Sequence, residues 1–204
     1  KLLAKQDTTQ LDAQVKEMQA GIDLQKAKFS QLLSGASPED VSISETAVFN
    51  ARQSLLDAQK NIIDRMQGAY TKSDDAVRAK SDQLFENPKT SHPQLLFSFP
   101  NDMQLEAEVV EARVTIEEAL NEWSGDLAAL STESDLTLAA ALAKKNTAQV
   151  KAFLVNEALI VNALTPSSKI TQATIDKWKT DISTARTNVD TAMSNLLLAE
   201  ENLP

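Results

Sequence analysis

Apolar residues recur along this chain at steps of three and four, the period of a helix face, and interruptions of that period mark where helices stop and start. Leu11, Val15, Met18, Ile22, Gln25, Phe29 and Leu32 alternate steps of four and three, forming one seam that requires a partner helix. Residues 34–40 interrupt it. Gly35 suits the left-handed conformation that ends a helix, and Ser37 before Pro38 reads as an N-cap followed by a first helical residue. A second helix is therefore expected from about Pro38 to Phe85, with Val48, Ala51, Leu55, Ala58, Ile62, Met66, Ala69 and Ala76 turned inward. Gly68 within it reads as a point of close packing, since glycine in a helix interior costs about 1 kcal/mol relative to alanine.

Residues 87–100 hold three of the six prolines and the apolar run Leu95, Leu96, Phe97 and Phe99. The run either folds over one end of a bundle or forms a hydrophobic tip that contacts a partner. A third helix is expected after Asn101 as its cap, with Leu105, Val109, Ala112, Ile116, Ala119, Trp123, Leu127 and Leu130 inward. A fourth begins in the cap-rich stretch 131–135 and runs to Leu164, with Leu136, Ala140, Ala143, Val150, Leu154 and Val161 inside. The last helix keeps its period most strictly: Ile175, Trp178, Ile182, Ala185, Val189, Ala192, Leu196, Ala199 and Leu203 form an unbroken seam whose alanines permit close approach. The first and last seams match in phase and length, which predicts that those two helices pair antiparallel. The pattern as a whole predicts an all-α fold, an elongated antiparallel coiled-coil hairpin or helical bundle of about five long helices.

Composition narrows the chemistry. Four glycines and 4% aromatic residues in 204 leave too few turn and strand formers for a sandwich or barrel. The absence of cysteine excludes disulfides and thiolate chemistry. The single histidine, His92, sits before a proline and reads as a loop residue, so mechanisms needing two imidazoles are excluded. The net charge of −9 is concentrated in residues 101–135, where ten acids face one base, Arg113, while the remainder balances. Without a basic stripe, nucleic acid and anionic lipid surfaces are disfavoured partners. No run approaches the ~20 apolar residues of a membrane span, so this segment is not expected to insert directly into a membrane. Glu111, Glu118 and Glu122 share helical spacing but lack the Glu-x-x-His pairs of di-iron bundles, and they read as a solvated face. Trp123 and Trp178 lie on inward seams and read as core. No catalytic residue, metal or cofactor is expected.

Three stretches resemble the HlyD-type membrane fusion, or periplasmic adaptor, family. Residues 3–15 are similar to the junction where the first half of the family's lipoyl domain gives way to its helical hairpin, with Gln6 where the family usually has leucine. Residues 33–41, followed by Glu45, Ala47, Ala51 and Leu55, resemble a motif recurrent in the hairpin. Residues 184–189 and 199–203 resemble the return arm before the second lipoyl half.

The resemblance implies that residues 1–8 are the end of a truncated lipoyl-type strand and 9–84 a first hairpin arm with its break at 34–40. Residues 85–100 would be a connecting loop, 101–164 an inserted or enlarged helical pair, and 165–204 the return arm. It further implies a non-catalytic adaptor that links an inner-membrane transporter of ABC or RND type to an outer-membrane channel, or that assists such an exporter in a cell with one membrane. Such an adaptor is extracytoplasmic, homo-oligomeric as a full-length protein, and anchored in the membrane through segments outside this chain. The seam residues expected to carry the coiled coil are Leu11, Val15, Met18 and Ile22 in the first arm and Ile175, Trp178, Ile182, Val189 and Leu196 in the return arm. An alternative from the helical pattern alone is an extracytoplasmic four-helix-bundle sensory domain of a chemoreceptor or kinase.

Overall fold

The computed structural model describes residues 9–99 and 102–203, so the expected strand end at 1–8 lies outside the described residues. The fold is all-α. Its helices are α1 (Thr9–Ser34), α2 (Pro38–Asp74), α3 (Met103–Ala128), α4 (Leu136–Ala163) and α5 (Gln172–Glu201). After α2 the chain continues through a π-helical segment, Asp75–Ser81, and a 3-10 turn, Asp82–Leu84. It then enters a two-residue antiparallel ladder, β1 (Phe85–Glu86) with β2 (Gln94–Leu95), in which Phe85 opposes Leu95. The chain divides into two units, Lys1–Arg52 and Gln53–Pro204.

The first unit holds α1 and the first turns of α2. Gly35 adopts φ 71° just past the end of α1, a conformation that costs glycine nothing and other residues a Cβ clash. Ser37 caps α2 as expected: its Oγ accepts from the Asp40 N–H at 3.1 Å and donates to the Asp40 carboxylate at 2.8 Å. Every residue from Gln10 to Arg52 is exposed, including Val48 and Ala51 of the expected inner stripe, and Leu55 just beyond is exposed as well.

The second unit packs residues 53–74 of α2 and its π-helical extension with α3, α4 and α5 around one core. Polar pairs fix the directions. Arg78 meets Glu117 while Asp82 meets Arg113, so α3 runs opposite to α2. Lys144 meets Glu200 and Lys151 meets Asp190, so α5 runs opposite to α4. The α5 seam expected to meet the first helix is buried within the second unit instead: α5 packs on α4 and on the π-helical segment. The physical reason is that matching phase does not choose a partner. The turn of residues 164–171 makes α4 the neighbour whose pairing costs least loop-closure entropy, and α4 offers Val150, Phe153, Leu154, Ile160 and Val161, all buried.

Caps and periodicity explain the helix limits. Asp102 caps α3 through a 2.9 Å bond from the Leu105 N–H, where Asn101 was the expected cap; Asn101 itself lies outside the described residues. Asp135 caps α4 and Thr171 caps α5 in the same way. The inward positions expected for α4 and α5 are buried, with Leu203 beyond α5 half-buried. Gly68 departs from its reading as a close-packing point. It is exposed, and a Cβ built on it meets nothing within 4 Å.

Candidate functional site

The site sequence reasoning proposed has two halves, and the structure treats them differently. In α5, Ile175, Trp178, Ile182, Val189 and Leu196 are buried, and they form the bundle core with α4 and the π-helical segment. In α1, the matching residues stay in solvent: Leu11 is 54% exposed, Val15 59%, Met18 63% and Ile22 50%. Phe29 and Leu32 continue the row, and along α1 the residues Met18, Gly21, Ile22, Gln25, Lys26 and Phe29 border a shallow apolar groove. Monomeric proteins rarely leave a contiguous apolar row of this kind in water, which makes it a candidate interaction surface.

The apolar run after β2 is placed differently from a free tip. Phe99 is buried, Leu95 and Phe97 are half-buried, and Leu96 faces solvent. The Phe97 ring tilts against Trp178 at 5.7 Å, and the run borders a cleft with Leu164 and Ile170 of the α4–α5 turn. These side chains close one end of the bundle, because three of the four satisfy their apolar area within the chain itself. His92 is exposed, its Nδ1 2.8 Å from the Ser91 hydroxyl.

Sequence reasoning missed a buried polar cluster where the π-helical segment meets α3 and α4. Glu157 of α4 and Arg113 of α3 are both fully buried. Glu157 accepts from the Ser81 hydroxyl at 2.5 Å through Oε1, while its buried Oε2 has no hydrogen-bond partner among the described residues. Arg113 donates through Nε to Asp82 at 2.7 Å and through Nη2 to Glu117 at 2.9 Å, and its Nη1 has no partner among the described residues. Arg78 donates to Glu117 and Asn121 and pairs with Asp74, which extends the network to the surface.

The electrostatics follow from burial and pairing. Burial pushes the Glu157 carboxyl up to about 8; Ser81 and Arg113 work against that rise and Asp82 adds to it. At neutral pH the acid is mainly protonated. Burial also opposes the charge of Glu117, yet hydrogen bonds from Arg113 and Arg78 outweigh it and hold that carboxyl below its usual range. Where α5 meets the π-helical segment, a hydrogen bond from Lys177 leads in holding Asp181 down at about 2.

The π-helical winding places Ser81 in the cluster. Hydrogen bonds spanning five residues, as from the Asp82 N–H to the Val77 carbonyl, widen the turn so that Ala76, Val77 and Ser81 all face the core. One sequence signal was available. Glu157 continues the spacing of Val150, Leu154 and Val161, and Arg113 that of Val109, Ile116 and Leu120, so an acidic and a basic residue type occupy core phase on two helices. With both groups out of reach of solvent, the cluster ties helices together and offers no access to a substrate.

Among the described residues, no group of three or more His, Cys, Asp or Glu side chains is placed to hold a metal ion. No described helix is long and apolar enough to cross a membrane. The chain matches no family model, and neither the curated proteins nor the solved structures give a match.

Proposed function

We propose that this chain is the helical-hairpin domain of an export-system adaptor of the HlyD type, an assembly subunit that links a membrane transporter to an envelope channel and performs no bond chemistry. The observation that carries this reading is the apolar seam of α1, laid out with coiled-coil spacing yet half or more exposed at Leu11, Val15, Met18 and Ile22. A helix of this composition gains little by itself, and its seam is stabilised only when another helix covers it. Residues 33–41, which resemble the hairpin motif, are compatible with the reading, since Gly35 and Ser37 there adopt the helix-stop and helix-start geometry expected of their residue types.

A second reading, the ligand-sensing bundle of a chemoreceptor or kinase, is favoured by the closed antiparallel packing of residues 53–203. A photo-crosslinking residue at Met18, used in intact cells of the source organism, separates the two. Capture of an identified transporter or channel subunit is the expected result, together with raised dye accumulation when the gene is deleted. Normal accumulation and secretion on deletion, or capture of a signalling kinase, would overturn the adaptor reading.

A further inference from the structure

We propose that the cleft between the end of α3 and the start of α4 binds a small hydrophobic cation, an aryl- or alkylammonium. This inference stands independently of the adaptor reading, because none of its residues belongs to the seam of α1.

The cleft encloses about 280 Å³. Met66 and Trp123, both buried, contribute to its lining together with Leu127 and Leu138. Leu138 is 58% exposed although it lies in the first turn of α4, so apolar surface remains open at this site. Trp123 is held in orientation by Tyr70, whose ring meets it edge-on at 5.5 Å and 85°. The cleft is thus apolar, preformed and bordered by an indole, the aromatic group that best accepts a cation.

Charge selects among apolar ligands. Asp126 and Asp135 border the same cleft, and Asp135 is fixed there because one of its oxygens accepts the Leu138 N–H as the α4 cap. Among the described residues neither carboxylate is in an ion pair. α3 ends beside them without a basic residue in its last turn, so its terminal carbonyls add negative potential, while the Asp135 carboxylate offsets the positive end of α4, which begins at the same cleft. An anion would be repelled here, and a neutral ligand would gain only the apolar contact. A volume just under the usual range of about 300–1,000 Å³ restricts the guest to a small amine.

Phenethylammonium, phenethyl alcohol and phenylacetate share one ring and differ in charge, so titrating the full chain with each while following the Trp123 indole N–H by NMR tests the assignment. The ammonium is expected to shift that resonance saturably and bind about ten-fold more tightly than the alcohol, with phenylacetate giving no saturable shift. Added salt should weaken the ammonium alone. Asp126→Asn with Asp135→Asn should bring the ammonium down to the affinity of the alcohol, since asparagine still caps α4. Asp126→Asn alone, at an exposed position, should move affinity in the same direction without bearing on the cap. Leu138→Gln should weaken both ligands. Equal affinity for ammonium and alcohol, shifts that do not saturate, an affinity unchanged by Asp126→Asn, or a preference for ammonium that survives Asp126→Asn with Asp135→Asn would each overturn the proposal.

Discussion

Single residues set the pH response. A carboxyl whose folded value is raised from 4.5 to about 8 favours the folded state most below 4.5, and that contribution is lost as pH rises through 8. The Glu157→Gln variant should therefore remove a decline in unfolding free energy on the order of a few kcal/mol between about pH 5 and pH 9, measured by urea denaturation at several pH values. Asp181 acts in the opposite window, its contribution being lost as pH falls toward 2. Arg113→Ala leaves Asp82 and Glu117 without their shared donor in a buried setting, and should cost about 3–5 kcal/mol in the same measurement. At this scale the sequence was only partly legible. The core phase of Glu157 and Arg113 could be read, but their pairing depends on helix neighbours that spacing on one helix does not reveal. Likewise Leu11 and Ile175 carry the same pattern, yet one is 54% exposed and the other buried, because a pattern states what a residue needs and not whether the fold supplies it.

At the level of helices, propensity and packing give separable outcomes. Gly68→Ala should stabilise the chain by about 0.5–1 kcal/mol, seen as a raised thermal midpoint, since the added methyl meets open space and the helix gains backbone rigidity. Ala185 is 1% exposed within the α5 seam, so Ala185→Leu should overpack it and cost about 1–3 kcal/mol. Ala192 borders a cleft of about 250 Å³ with Gly68 and Ala69, so Ala192→Leu has room to extend and should cost clearly less. Paired denaturation curves of the two variants check the difference. Helix limits were the most legible feature, because Ser37, Asp135 and Gly35 announce them chemically. The π-helical winding at Asp75–Ser81 was not, since DAVRAKS has ordinary helix formers and the wider turn comes from what packs on it.

Across the chain, burial is strongly uneven. Residues 10–52 are all exposed while α4 buries eleven of its residues, so local opening should be easy in α1 and close to global in α4. Native-state hydrogen exchange on the isolated chain should give α1 amides protection at least about 100-fold below those of α4. Equal protection would mean that the α1 seam is covered in solution. The all-α class was readable from composition and period; which helices would be neighbours was not, because short connections and apolar content decided it. The wide winding of residues 75–81 also bears on how the length of such a chain can drift. A segment already holding more residues per turn than an α-helix can lose one by rewinding to the ordinary form. One residue lost from the middle of α4 or α5 swings the following stripe by about 100° and carries its apolar side chains out of register. Relatives of different length should therefore differ at that wide turn and in the loops, and keep the spans of α4 and α5 intact.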